Sequence, residues 1–283
     1  MAESGAPTAR RQRLGTELRR LREKTGMTAT AAAALLGANQ ARISNIEAGR
    51  YGVSADRVRT LACHYECGDK ELIEALAAMT GDRKRGWWEE YRGILPNGML
   101  DLAELEHHGR RLRTAHIANL PGLLQIPDHA RAVFRQVVPE LPPPEVEHRL
   151  SFRIKRQTVL FRDDPAPYRA LIHEAGLRMR FGGRAVARAQ LDHLLSMSER
   201  EHLTVRVIPF AAGAFAGSSQ PLYYVHGPVP QLDTVQLDQS HGPVLLDAEA
   251  QLDKYRQVLS RLEATALGPT ESRDFIHDIV RNL

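Results

Sequence analysis

Residues 37–50 read GANQARISNIEAGR. Gly37 interrupts the preceding run of helix formers, ATAAAALL at 29–36, and Asn39 offers the short side-chain oxygen that caps a new helix. Ile43 and Ile46 recur three apart, as residues on one buried helical stripe do, and Gly49 closes the segment. With the isoleucines facing inward, Gln40, Arg42, Ser44 and Asn45 face outward. These are hydrogen-bonding side chains suited to base edges and phosphates. A plain surface helix accounts for the same polarity, so the flanking sequence has to decide.

Upstream, Leu14, Leu18 and Leu21 fall at helical spacing with Arg19, Arg20 and Arg22 interleaved, which predicts a helix over 13–24 ended by Gly26. Thr28 caps a second short helix that stops at Gly37. Downstream, Ser54 caps a fourth helix over 55–66, with Val58, Leu61 and Ala62 on one face, and DKELIEALAAM (69–79) repeats the pattern as a fifth. Three short helices in a row with a glycine turn before the third form a helix-turn-helix, and the five together predict an all-α domain over 13–80. A basic arm, 1–12, precedes it. The charged, glycine-bounded stretch TGDRKRG (80–86) is the expected boundary with a second domain over 83–283.

The composition agrees with two globular domains. A chain of 283 residues exceeds one ordinary domain, and 43% hydrophobic with 25% charged residues excludes general disorder. No apolar run is long enough for a membrane span, and MAESGAPTARRQR lacks the apolar core of a signal peptide, so the expected location is cytoplasmic, on the nucleoid. The net charge of +4 is unevenly placed. Residues 1–92 hold sixteen basic and twelve acidic side chains, and residues 225–283 hold five and nine. Within residues 1–24 seven basic side chains face three acidic ones, the footprint of a nucleic-acid-binding segment.

Beyond the boundary, WWEEYRGILP (87–96), LDLAELEHHGRRLRTAH (100–116) and LPPPEVEHRLSFRIKRQTVLF (141–161) read as helical, the last with Glu145 and Arg149 at i,i+4 spacing. Then YRALIHEAGL (168–177), LTVRVIPF (203–210), PLYYVHG (221–227) and DTVQLDQ (233–239) form short β-branched and aromatic runs between Gly, Pro and Asp clusters. Helices at 183–200 and 248–267 alternate with them. The second domain is therefore expected to be α+β with a mostly antiparallel sheet.

The segments LGTELRRLREKTGMT and LLGANQARISNIEAGR resemble the XRE-type helix-turn-helix of phage repressors and their bacterial relatives. The resemblance implies a lambda-repressor-like five-helix domain that binds operator DNA as a homodimer. It places Gln40 as the first base-reading residue, Ala41 and Ser44 at the next groove-facing sites, and Asn45 at bases or phosphates. Thr28 and Asn39 fall at the caps that approach the DNA, and Arg22 with Glu47 matches a buried structural ion pair. Where the family carries glutamine after the cap, this chain has Ala29, which leaves part of the phosphate contact to Arg50 and the basic arm. RGWWEEYRGILP, IANLPGLLQIPDHARAVF, RIKRQTVL, LTVRVIPFAAGAFAG and DKYRQVLSRLEATALGPTESRDFI resemble the uncharacterised C-terminal domain that follows XRE-type domains in many actinobacterial regulators, WhiJ-like developmental regulators among them. That resemblance implies a homodimeric transcriptional regulator, often paired with a small acidic partner protein encoded nearby. It implies neither a cofactor nor an enzymatic activity.

Other constellations carry less. Cys63, His64 and Cys67 are half a zinc site with no second ligand pair following, so they read as packing residues. His107 and His108 are adjacent and point to different sides of a helix. His173 and Glu174 would face opposite ways on a strand. Ser218 or Ser219 with His241 would suggest a hydrolase, but GAFAGSSQP is not a nucleophile elbow, and RFGGRA (180–185) lacks the spacing and ending of a phosphate loop. PGLLQ (121–125) and VIPFAAGAFAG (207–217) are loops that can line a cavity or admit a close backbone, and Trp87 and Trp88 are candidates for packing just past the boundary. The expected function is a sequence-specific DNA-binding repressor whose second domain senses a partner protein or a ligand. The alternative is a protein-interaction module with degenerate DNA binding.

Overall fold

The computed structural model describes residues 7–80, 86–217, 220–239 and 242–283. The expected boundary stretch falls largely on 81–85, and Ser218, Ser219 and His241 also lie outside the described residues. The chain divides into two compact units: Met1–Glu90 with Met99–Leu105, and Tyr91–Gly98 with Glu106–Leu283.

The first unit is helical. Helices α1 (Ala9–Lys24), α2 (Ala29–Leu35), α3 (Gln40–Glu47), α4 (Ala55–His64) and α5 (Lys70–Ala78) each begin at a side-chain cap: Thr8, Thr28, Asn39, Ser54 and Asp69. Helix α1 starts four residues before the expected position, because Thr8 accepts the Arg11 amide and Asp101 accepts the Ala9 amide at 3.0 Å. Residues 9–12 of the expected arm are therefore the first turn of a helix. Leu14, Leu18, Ala32, Ala33, Ile43, Ile46, Val58, Leu61 and Leu76 form the core; Leu21 is only half-buried. Each fully buried aliphatic side chain contributes about 1.5–3 kcal/mol.

Helices α1 and α3 approach so closely that only glycine fits at two points. A Cβ on Gly15 would stand 2.4 Å from the Glu47 carbonyl oxygen, and one on Gly49, where φ is +71°, would stand 2.9 Å from the Gln12 backbone. Beside this contact Arg22 and Glu47 form a two-pronged pair, Nε to Oε1 at 2.6 Å and Nη2 to Oε2 at 2.8 Å, while Arg22 Nη1 donates to the Met27 carbonyl at 2.7 Å. Both side chains are less than a tenth exposed. The hydrogen bonds that Arg22 donates to Glu47 raise the Arg22 pKa further, and burial pushes the Tyr65 hydroxyl up to about 12.

The second unit is built on a six-stranded sheet of order β3-β2-β1-β4-β5-β6, with β1 (Arg111–His116), β2 (Tyr168–His173), β3 (Leu203–Ile208), β4 (Leu222–His226), β5 (Thr234–Gln239) and β6 (Gly242–Leu246). The expectation of a mostly antiparallel sheet is corrected. β1, β2 and β3 run parallel, and β1–β4, β4–β5 and β5–β6 are antiparallel, so the sheet is mixed. The parallel half follows from the long connections, α7 (Pro127–Phe134) with α8 (Pro143–Gln157) between β1 and β2, and α9 (Glu174–Arg178) with α10 (Arg184–Met197) between β2 and β3. Parallel neighbours need such crossovers, whereas the short connections of β4, β5 and β6 suit antiparallel pairing. Strand β1 is a second correction, since its residues were expected to continue a helix. Instead α6 (Asn97–His108) stops before Gly109, and Arg111–His116 pairs on both edges.

One sheet face is apolar: Ala115, Leu171, Leu222, Tyr224, Val235 and Leu237 pack against Leu252, Tyr255, Leu259 and Leu262 of α11 (Glu249–Thr265). Helix α12 (Pro269–Arg281) is fixed to β3 by Ser272, whose hydroxyl oxygen accepts the Val207 amide at 2.9 Å. No helix among the described residues is long and apolar enough to cross a membrane.

Removing one partner of a buried ion pair leaves an unmatched charge, so Glu47→Ala should lower stability by about 3–5 kcal/mol in urea unfolding of the first unit. The paired change Arg22→Met with Glu47→Leu should recover most of that loss. Equal destabilisation by the single and double variants would show that the pair holds no such position in the fold.

Candidate nucleic-acid interface

Helix α2, the turn at 36–39 and helix α3 set the geometry. Gly37 takes φ +59°, a left-handed conformation that costs a side-chain-bearing residue energy, and no neighbouring atom crowds it. The turn therefore requires glycine for its backbone, not for space. Asn39 Oδ1 then accepts the Arg42 amide at 2.9 Å and starts α3 in a new direction. Ile43 and Ile46 are 1% and 3% exposed, which rotates the opposite side of α3 into solvent.

That outward side carries Gln40, Ala41 and Arg42 fully exposed, with Ser44 and Asn45 half-buried. Gln40 Nε2 donates to Ser44 Oγ at 3.1 Å, which pre-positions the amide along the helix. Arg50 Nη1 reaches Asn45 Oδ1 at 3.5 Å, and the Asn45 carbonyl accepts the Arg50 and Tyr51 amides at 2.9 and 3.1 Å. Thr28 is exposed and accepts the Ala31 amide at 3.1 Å. Its hydroxyl proton remains available to an external acceptor. Ala29 opens α2 and supplies no polar atom. Glu47 is the one carboxylate of α3 and is neutralised by Arg22, so the exposed face of α3 presents Arg42 without an opposing acid.

A groove of about 440 Å³ runs beside α3, lined by Leu36, Gly37, Ala38, Asn39, Ala41, Arg42, Asn45, Tyr51 and Arg57. It brings together Asn39, Ala41, Arg42 and Asn45 of the expected site, while Thr28, Gln40, Ser44 and Arg50 lie outside its lining. Tyr51, 55% exposed, and Arg57, in the first turn of α4, were missed by the sequence reading. Arg57 falls within the helix expected over 55–66, where the sequence gives it no role. The available signal was its place three residues after the Ser54 cap, where a helix N-terminus and a cation together favour phosphate.

Two other groups singled out in the sequence have structural contacts. His173 Nδ1 accepts the Ala175 amide at 3.2 Å and caps α9, while Glu174 Oε2 accepts the Phe210 amide at 2.8 Å. Cys63 and Cys67 are free thiols, and among the described residues no group of three or more His, Cys, Asp or Glu side chains stands ready for a metal.

A short helix, a glycine turn and a second helix with a polar exposed face define a helix-turn-helix DNA-binding protein. Independently, residues 13–76 match the family model described as a helix-turn-helix domain, and residues 99–278 match the domain of unknown function DUF5753. The chain belongs to the DUF5753 family, with a helix-turn-helix domain at its N-terminal side. No curated protein and no solved structure matches it.

Phosphate contacts and base contacts separate by salt and by sequence. In gel-shift titrations Arg57→Ala should weaken binding evenly across DNA sequences and reduce the slope of log affinity against log salt by about one. Gln40→Ala should relax preference at one base position, with a discrimination loss of about 1–3 kcal/mol. An unchanged base preference in Gln40→Ala would remove that residue from the reading set.

Proposed function

We propose that the protein is a sequence-specific transcriptional repressor that binds its operator as a homodimer, its second unit receiving a signal from a small ligand or a small acidic partner protein encoded nearby. The observation that carries this reading is the division of labour on α3: Ile43, Ile46 and Glu47 hold the helix, while Gln40, Ala41, Arg42, Ser44 and Asn45 are turned outward. An α-helix of about 10–12 Å diameter fits a major groove of about 12 Å width. In this reading Gln40, Arg42 and Ser44 face base edges, and Thr28, Asn39, Asn45, Arg50 and Arg57 approach the backbone. Resemblance of the sequence to XRE-type and WhiJ-like regulators supports the dimeric, partner-linked form. No catalytic activity is assigned to the chain, and its place of action is the cytoplasmic nucleoid.

A second reading, a protein-interaction module whose helix-turn-helix has lost base reading, is favoured by Ala29 and Ala41, which put methyl groups where hydrogen-bonding side chains would hold DNA.

Selection of bound fragments from random DNA separates the two. The repressor reading expects an inverted repeat with half-sites about 34 Å apart or a multiple of it, bound by two copies. Binding without sequence preference that disappears by about 200 mM salt would replace it with the interaction-module reading.

A further inference from the structure

The two faces of the sheet in the second unit differ in kind. One is the apolar face under α11. On the other, Thr114 of β1 stands opposite Tyr223 of β4, and Tyr223 stands opposite Gln236 of β5. His116 lies two residues along β1 on the same face, its ring 5.3 Å from that of Tyr223. All four side chains are 5% exposed or less. Such a buried polar patch in the middle of a sheet is costly unless its atoms find partners.

Charged groups converge on it. Arg156 of α8 is 5% exposed, and its Nε lies 2.8 Å from Oε2 of Glu106, itself 1% exposed, without hydrogen-bond alignment. Arg153, one turn earlier, donates to Gln125 of the PGLLQ turn and lies over the Phe134 ring at 4.6 Å. The turn comes so near that a Cβ on Gly122 would sit 3.0 Å from Arg156 Nη2 and 3.3 Å from Arg153 Cδ. PGLLQ therefore forms a wall against both guanidinium groups.

Many polar atoms of this region lack a hydrogen-bond partner among the described residues. Both ring nitrogens of His116 and of His129, Nη2 of Arg156, Nε of Arg153, Oε1 of Glu106 and Oε1 of Gln236 are shut off from solvent and have no hydrogen-bond partner among the described residues, while Arg156 Nε and Glu106 Oε2 meet only as an ion pair. His129 is 1% exposed. Burial, reinforced by Arg153 and Arg156, holds His116 down to about 3, and burial with Arg153 holds His129 down to about 4, so both rings are neutral at physiological pH. Each ring then has one donor and one acceptor. Two guanidinium charges are met by one buried carboxyl, Glu106, which burial pushes up to about 7. The other carboxylate in range, Asp238, is exposed and already accepts from Gln236 Nε2 at 2.9 Å. The buried charge is thus in positive excess, and donors of both arginines are among the unused groups.

We propose that the polar face of β1, β4 and β5, together with Arg153, Arg156 and His129, is a binding site for a small monocarboxylate. The carboxylate would take the open guanidinium N–H groups, and His116 and His129 would hydrogen-bond it or the polar substituents beside it. A flat acceptor with one negative charge matches a guanidinium fork and the single excess charge. A dianion such as phosphate would overshoot that charge. Ligand binding here stands independently of DNA binding, whereas its use as the regulatory signal rests on the repressor reading.

The test uses the full chain titrated with acetate and benzoate, with inorganic phosphate as the contrasting anion. Thermal midpoints and the ring resonances of His116 and His129 are followed. A saturable rise in midpoint with shifts at both rings is expected for a carboxylate, and none for phosphate. His116→Phe keeps the ring and removes two unpartnered nitrogens, so its midpoint should hold or rise while carboxylate affinity falls about tenfold. The pair Arg156→Met with Glu106→Gln, which removes one charge of each sign, should also lose binding. No saturable response to either carboxylate, an equal response to phosphate, unchanged affinity in His116→Phe, or a crystal grown with benzoate that shows only water at these groups would each overturn the site. Carboxylate binding that leaves operator affinity unchanged would keep the site and reject the signalling role alone.

Discussion

The first unit depends on the buried charge pair between Arg22 and Glu47. Arg22 belongs to α1, its partner Glu47 ends α3, and its third N–H group holds the Met27 carbonyl in the turn leading to α2. One guanidinium thus fixes three pieces of chain in mutual register, which a nondirectional apolar contact would not do. Gly15 and Gly49 let the backbones come together beside it. The isoleucines then need only fill the space that this clamp defines. The pair also disposes of the one acidic charge of α3, so the outer surface of the helix meets polyanionic DNA without internal opposition.

How much of this the sequence revealed depended on how local each determinant was. Gly37, Asn39, Ile43 and Ile46 act within a few residues of one another, and their spacing alone places turn, cap and buried face. The helix start at Ala9 was missed because part of its support, Asp101, comes from distant sequence. Strand β1 was hidden by a helical run just before it, and only pairing with β2 and β4 makes RLRTAH extended. Parallel and antiparallel strands have similar composition when short, so the mixed sheet could not be read from β-branched runs. Tyr51 and Arg57 come from outside α3, and the fold alone brings them to its side.

The second unit shows the same limit more strongly. Alternation along β1 places Thr114 and His116 on one face, but nothing in that strand says that Tyr223, Gln236 and the arginines of α8 will meet them. Arg153 and Arg156 are three apart and resemble any basic stripe on an exposed helix. The burial of Arg156 and the partial burial of Arg153 become visible only when PGLLQ and the sheet are in place. Had the sheet needed both faces merely as core, apolar side chains at these positions would have served more cheaply. The polar face is retained in spite of that cost, unlike the face under α11, where leucine and valine fill the same role.

The separation of roles on α3 also has an evolutionary meaning. Positions 40, 41, 42 and 44 contribute little to holding the helix, since the anchoring falls to Ile43, Ile46, Glu47 and the glycines that let α1 come close. A lineage can therefore exchange the outward residues in small steps, each leaving a folded protein, and acquire new target sites without passing through an unstable ancestor.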